Sequence, residues 1–519
     1  MSGPRLYLGL GAAALVIAAL SLLIPSTPSY DPWAWLVWGH EIVHLDLHTT
    51  GGPSWKPLPM LFTTVFALFG KAQPDLWLIV ARAGAVMAVA MVFKLAWRLT
   101  RDLVAGTVEP TGSSRWLGVV APLLAGVIAA GSLVNSGGFI SDNALGYSEG
   151  LATALALIAV DSYMDGARQR AFIFGFFAAL DRPELWFFWG PYGLYLFWRD
   201  PGARKLVVGL FALIPVLWFL PELWGSGHLL RGVTRAEHPR SNSAAFAKCP
   251  VCTVFKKEAW PTVLNRVKIP GLIALFVAAF GLWRTRASWW RHGGAVDPAI
   301  RARAWLLGLG LFGLVWWFGI SLETQAGFSG NNRYLVLGSA LVEICGAVAW
   351  GWAAQEIGNL AGRLFSRGRQ ATAAVTRTGA WSALVAVALV FVMVPSWIGN
   401  NFISIPRTHG SLVYQAHLRQ GLNELVAASG GADKIVRCGS VMTEGFQVPM
   451  VAWALGVHTL QIQAPPPAGE PPGPAPNVIL QTRDTRSASL LPLVQWWPHV
   501  HYKYVGSRGP FNLFTHCAG

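Results

Sequence analysis

The chain has 519 residues, 53% of them hydrophobic and only 13% charged, with a mean hydropathy of +0.44. Soluble domains carry about 25% charged residues, so these values exclude a cytosolic globular enzyme, a disordered chain and a secreted disulfide scaffold. A net charge of +15 would suggest nucleic acid in a soluble protein; here the basic residues lie mostly between apolar runs, where they set membrane orientation, and no nucleic-acid partner is expected.

Runs of about 20 apolar residues predict membrane-crossing helices, and they fall near 6–24, 76–97, 116–134, 148–163, 206–222, 270–283, 304–320, 334–353 and 381–397. The first reads as an uncleaved signal anchor, because only Arg5 precedes it and no small-x-small cleavage site stands before Pro25. Between 171 and 198, two shorter apolar runs flank Asp181-Arg182-Pro183-Glu184. They predict a helical hairpin whose charged tip sits in a polar cavity rather than in lipid. Eleven crossings result. They gather Arg98, Arg101, Arg115, Arg168, Arg170, Arg204, Arg284, Arg291, Arg363, Arg367, Arg369 and Arg377 on the same side as Arg5. By the positive-inside rule that side is cytoplasmic, giving a multi-pass plasma-membrane protein with an inner N-terminus. One outer loop, 225–268, conflicts with the rule, since it carries Arg231, Arg235, Arg240, Arg266 and Lys268 among others.

The expected transmembrane domain is 1–398, with outer loops 25–75, 135–149, 225–268 and 321–333, and the remainder, 399–519, reads as an extracytoplasmic α/β domain. In that domain an amphipathic helix is predicted over 411–428, followed by strands at 434–438, 458–463, 477–482 and 511–517 and a Pro-rich loop at 464–476. Four cysteines face outward, and of three possible pairings Cys249–Cys252 with Cys438–Cys517 is the one adopted. The Cys-Pro-Val-Cys spacing also fits half a zinc site, but no second ligand pair lies near it.

Ionisable residues near the outer face carry the functional signal. Tyr30-Asp31-Pro32 opens a helix predicted over 33–46 on the outer surface, with a second over 58–70 and Lys56 between them. Asp31 is placed either as a helix cap or as a general base toward a hydroxyl. Asp142, Asn143 and Glu149 follow between the third and fourth spans, Glu149 also suiting a helix N-terminus. Arg182 and Glu184 form the hairpin tip, where an ion pair alone is the simplest reading. Arg333, before the tenth crossing, either grips a phosphate with a two-pronged guanidinium or snorkels to the interface. His40, His44 and His48 are spaced to share one helical face, but no organised carboxylate joins them and no metal is assigned.

In order and sidedness these clusters resemble the GT-C superfamily of integral-membrane glycosyltransferases. That superfamily includes the protein O-mannosyltransferases, the aminoarabinose transferases and the actinobacterial arabinofuranosyl- and mannosyltransferases. The resemblance covers the organisation of residues 1–400: Asp31 to Gly70, Asp142 to Glu149, Arg182 to Glu184, and Asn332 to Tyr334. It departs from the mannosyltransferases at Pro32, where they carry a second acid. What it implies is transfer of a monosaccharide from a polyprenyl-phosphate donor to an envelope glycan, lipid or protein acceptor, with inversion and without metal or other cofactor. Asp31 would be the base, and Lys56, Arg333 and Arg182 would hold the donor phosphate. His40, Glu41, Asp142, Asn143, Glu149 and Glu184 would orient sugar and acceptor. The alternative is a lipid or sugar transporter or flippase, and a non-catalytic envelope scaffold is a further competitor.

Overall fold

The computed structural model describes residues 3–105, 119–239, 243–291, 297–365, 371–467 and 469–517. Arg115, Arg240, Arg367 and Arg369 lie outside the described residues, as do the side chains of Arg291, Arg363 and Arg377. In chain order the helices are α1 (Pro4–Leu20), α2 (Tyr30–Val43), α3 (Pro57–Ala67), α4 (Gln73–Val104), α5 (Val120–Asn135), α6 (Phe139–Ala144), α7 (Glu149–Met164), α8 (Arg168–Ala179), α9 (Trp186–Arg199) and α10 (Arg204–Ser226). There follow α11 (Arg231–Ala236), α12 (Pro250–Thr253), α13 (Trp260–Thr262), α14 (Asn265–Arg291), α15 (Pro298–Gln325), α16 (Val336–Phe365), α17 (Ala371–Ala428), α18 (Ala432–Cys438) and α19 (Val448–Leu455).

Over the described residues the eleven apolar runs fall on helices, positions 116–118 of the third lying outside them. Among the described residues, seven helical stretches are long and apolar enough to cross a membrane: Pro4–Ser21, Gly70–Val104, Pro201–Ser226, Asn265–Arg286, Pro298–Gln325, Asn332–Ala361 and Ala380–Ala428. The chain is a polytopic helical membrane protein with a small C-terminal sheet. The other four, α5, α7, α8 and α9, have 16, 16, 12 and 14 residues. At 1.5 Å per residue these reach about 18–24 Å, short of a hydrocarbon core of about 30 Å.

Two compact units emerge. One comprises Met1–Ala85, Ser141–Ser241 and Pro406–Gly519, the other Val86–Ile140 and Asn242–Ile405. In the second, α16 packs on α5, α14 and α15. Backbones touch where α14 meets α16: a Cβ at Gly271 would lie 2.9 Å from the Gly346 nitrogen, the close approach that small residues permit between membrane helices. The same unit holds the Cys249–Cys252 disulfide, while Cys345 is a buried free thiol.

The first unit is built around α2, and here the structure corrects the expected surface helix. Residues 32–39 (Pro-Trp-Ala-Trp-Leu-Val-Trp-Gly) are apolar on every face, so the helix is buried rather than laid on the surface. Trp33, Trp35, Leu36 and Trp38 share a core with Trp55, Trp77, Leu418, Leu422, Leu425, Val451, Leu480 and Phe511. Gly39 abuts α3 so closely that a Cβ would come within 2.6 Å of the Thr63 carbonyl.

Past residue 405 the chain completes this core. The composition boundary at 398/399 falls inside the continuous helix α17. A five-stranded sheet follows, with β1 (Val441–Thr443), β2 (Ile462–Gln463), β3 (Val478–Gln481), β4 (Lys503–Arg508) and β5 (Phe511–Thr515) in the order β2-β1-β3-β5-β4. Strand β1 is parallel to β2 and β3, whereas β3–β5 and β5–β4 are antiparallel. The strand expected at 434–438 is instead α18, with Asp433 in its first turn and Arg437 in its last, charges that suit a helix dipole. The Cys438–Cys517 disulfide joins the end of α18 to the chain beyond β5, and the side chain and backbone of Asn477 accept hydrogen bonds from Ser440 and His516 beside it.

Candidate active site

Three breaks in helical structure bring charged residues together inside the first unit. Lys56 precedes Pro57 at the start of α3, the first helical position that proline suits. Ser148 and Glu149 begin α7 after a left-handed Gly146, whose carbonyl accepts from Trp77 Nε1 at 2.8 Å. Asp181 and Arg182 lie in the turn between the end of α8 and Pro183, and the Leu58 amide donates to the Leu180 carbonyl at 3.1 Å, tying this turn to α3.

The geometry is close. Lys56 Nζ lies 3.2 Å from Glu149 Oε1 and 3.9 Å from Asp181 Oδ1, and it donates toward Ser148 Oγ at 3.4 Å. Arg182 sits 3.6 Å from the same Glu149 oxygen and 2.7 Å from Glu184 Oε1. The ammonium of Lys56 also faces the Trp35 ring at 5.5 Å. Asp181, Glu149 and Arg182 are all buried, with relative exposures of 0%, 4% and 5%. Two cations and three carboxylates thus share one buried cluster next to a tryptophan of α2. Taking charges out of water costs several kcal/mol per ion even after relaxation, so the cluster is expensive as mere scaffolding. The N-termini of α3 and α7 open into it, and these ends favour anions.

Of the residues singled out from sequence, Lys56, Glu149, Arg182 and Glu184 therefore meet. Asn143 is buried, its Oδ1 only 2.2 Å from where a Gly150 Cβ would lie, and half-buried Asp142 accepts at its carbonyl from the Tyr147 amide. Asp31 is half-buried in the first turn of α2, whose N-cap position is held by Ser29, so the acid is not the helix cap. Ser29 ties this turn to the loop before α7, donating its amide to the Leu145 carbonyl at 2.9 Å and meeting the Tyr147 hydroxyl at 3.1 Å.

His40 and Glu41 do not join this cluster. They stand about 15 Å along α2 from Asp31 at the helical rise. The His40 ring lies 4.2 Å from that of His44 and is mostly exposed; partial desolvation, with His44 beside it, lowers its pKa. Glu41 is buried and accepts from the His48 amide and from His458 Nδ1 at 2.9 and 2.8 Å; burial raises its carboxyl above the ordinary range. The expected single face of His40, His44 and His48 is also lost. Helix α2 ends at Val43, and Leu45 turns left-handed at φ 57°, carrying His48 elsewhere. Arg333 lies in the second unit, in a turn at Asn332–Leu335 where Asn331 Oδ1 accepts its amide, and its guanidinium faces the Tyr334 ring at 5.4 Å.

The basic loop 225–268 has a local explanation. Arg231 donates to the carbonyls of Thr50, Gly52 and Pro53 and approaches Glu222, while Arg235 donates to Gly52. Lys268 is buried on the carbonyls of Trp260 and Val263. Much of that charge is committed to packing.

Two residues escaped the sequence reading. Asp181 was legible only as a partner for its neighbour Arg182, not as a member of the Lys56 cluster. Arg82 is the arginine inside the 76–97 run, which also carries Lys94, and is buried; it binds Ser21, Ser26 and the Ala144 carbonyl. A single arginine within such a run was the available signal.

No family model and no curated protein matches the chain. Two crystal structures of ArnT from Cupriavidus metallidurans are similar to it, one bound to undecaprenyl phosphate and one in the apo state. Both have a TM-score of 0.48, with 12% and 13% sequence identity, and they cover 100% and 99% of this chain and 99% and 98% of theirs. The functional reading rests on the residues themselves.

Proposed function

We propose that the chain is a membrane glycosyltransferase of the GT-C kind. It moves a monosaccharide, with arabinofuranose and mannose as the leading candidates, from a polyprenyl phosphate to a hydroxyl of an envelope glycan, lipid or protein. The observation that carries this reading is the buried cluster of Lys56, Glu149, Asp181, Arg182 and Glu184. Its cations suit a departing lipid phosphate, and its carboxylates suit sugar hydroxyls.

Asp31 takes the proton of the acceptor hydroxyl as that oxygen attacks the anomeric carbon. The bond from that carbon to the phosphate oxygen breaks, and its electrons leave on the phosphate, where fixed cations stabilise the growing charge. Lys56 and Arg182 supply those cations. Glu149, Glu184, Asp142 and Asn143 orient hydroxyls, and Glu41 and His40 drop out of this role. One in-line displacement inverts the anomeric carbon, and no metal enters the step. The chain is oriented with its N-terminus cytoplasmic and its sheet outside the plasma membrane.

The test incubates the purified full-length protein in lipid with labelled polyprenyl-phosphate sugars and envelope acceptors, beside Asp31→Asn. Label reaching the acceptor with the wild type but not the variant is the expected result. Turnover surviving in the variant removes Asp31 as the base. Label crossing the bilayer with no new bond makes the chain a transporter instead.

A further inference from the structure

The far end of α2 carries a second cluster that the transfer chemistry does not use. We propose that His48, His458 and Asp46 form a zinc-class metal site that fastens the first outer loop to the C-terminal segment, with Glu41 orienting His458. Ligand atoms of the three residues lie within 4.8 Å of one another. Tetrahedral zinc with bonds of about 2.0–2.1 Å sets its ligands about 3.3 Å apart, so the set must close by roughly 1.5 Å. Asp46 is 65% exposed at its side chain, and its Oδ2 already stands 3.3 Å from His458 Nε2.

Three features look built rather than accidental. His458 Nδ1 lies 2.8 Å from Glu41 Oε1, a carboxylate that is itself buried, which leaves Nε2 directed at Asp46 Oδ2, 3.3 Å away. A carboxylate on the far ring nitrogen fixes the tautomer and raises the basicity of a metal-binding histidine. The His48 ring stands 4.2 Å from that of His458, and its backbone is held at both ends: its amide donates to Glu41 Oε2, and its carbonyl accepts from Trp38 Nε1 at 3.0 Å. The turn that presents Asp46 and His48 contains Leu45 at φ 57°, a left-handed conformation that a leucine adopts only when its surroundings impose it. Two imidazoles and one carboxylate, with a side open to solvent, are a donor set suited to zinc.

The test uses the full-length protein in detergent, stripped with a chelator and then titrated with Zn²⁺, with the metal retained after gel filtration counted by elemental analysis. One zinc per chain is expected. Substituting Co²⁺ should give the visible absorption of a tetrahedral ion. His48→Gln and Asp46→Asn should each weaken binding at least tenfold, and Glu41→Gln should do so by about 10–100-fold. His40→Gln and His44→Gln, on the neighbouring stacked pair, should change nothing. Because Asp46 is exposed, its variant keeps the test sound if the His48 variant fails to fold. Absence of retained zinc overturns the proposal, leaving His458 as a hydrogen-bond partner of Glu41 beside Asp46. So does undiminished binding in Asp46→Asn, or binding lost with His40→Gln.

Discussion

Replacing Lys56 with methionine separates a structural role for the charged cluster from a chemical one. Lys56 has 12% of its side chain exposed and faces Glu149 at 3.2 Å and Asp181 at 3.9 Å. Methionine keeps the stem and removes the charge, taking one cation from two buried carboxylates while Arg182 stays 3.6 Å from Glu149. Breaking a buried ion pair by deleting one partner costs about 3–5 kcal/mol, most of it from the charge left behind. The double variant Lys56→Met/Glu149→Gln removes one stranded charge and should recover half or more of that loss. Transfer should behave differently. If Lys56 faces the departing phosphate, kcat/KM falls by about 10²–10³-fold in both variants, because neutralising Glu149 restores no cation. Thermal unfolding in detergent reports the first quantity, and a sugar-transfer assay at a temperature where both variants are folded reports the second. A double variant that regains stability and turnover together refutes the chemical role and leaves a purely structural ion pair.

Other perturbations follow from the packing. Gly39→Ala drives a methyl into the Thr63 carbonyl at 2.6 Å, and overpacking of this kind costs about 1–3 kcal/mol, visible as a lower melting temperature. Reducing Cys438–Cys517, which closes a loop with a sequence separation of 79, should cost about 4.5 kcal/mol on the chain-entropy account; an unchanged denaturation midpoint under reductant would contradict it. Arg182→Lys keeps the charge but loses the planar fork that reaches Glu149 and Glu184. Its turnover should therefore fall at least tenfold while expression is retained, and wild-type kinetics would show that Arg182 acts only as a point charge.

Sequence periodicity located every long helix because lipid demands long apolar runs, and such runs are hard to disguise. It also marked Glu149, Arg182 and Glu184, since charges beside proline inside apolar stretches stand out. Their convergence on Lys56 was implied by the shared role assigned to them, but Asp181 was passed over as a local pair. Pairings remote in sequence were invisible. Nothing near Glu41 announces His458, 417 positions later, so Glu41 looked available for substrate. The three histidines of the first loop matched a helical face only if the helix continued past Val43, and one left-handed residue ended that pattern. The misread strand at 434–438 failed for want of length, because five residues of mixed polarity fit a helix turn and a strand equally well.

The shared core of α2 and the C-terminal segment has a consequence for biogenesis. Trp33 packs on Trp453 with ring centroids 5.1 Å apart, and Trp33 to Trp38 share their cluster with Leu418, Leu422 and Leu425. At about 5–20 residues per second, the ribosome needs roughly 20–80 s to travel from the first partner to the second. Throughout that interval four large indole and leucine side chains wait without their cover. A nascent chain stalled or cleaved before residue 418 should therefore be captured by quality-control proteases rather than accumulate as a shortened chain, and the terminal segment expressed alone should be insoluble.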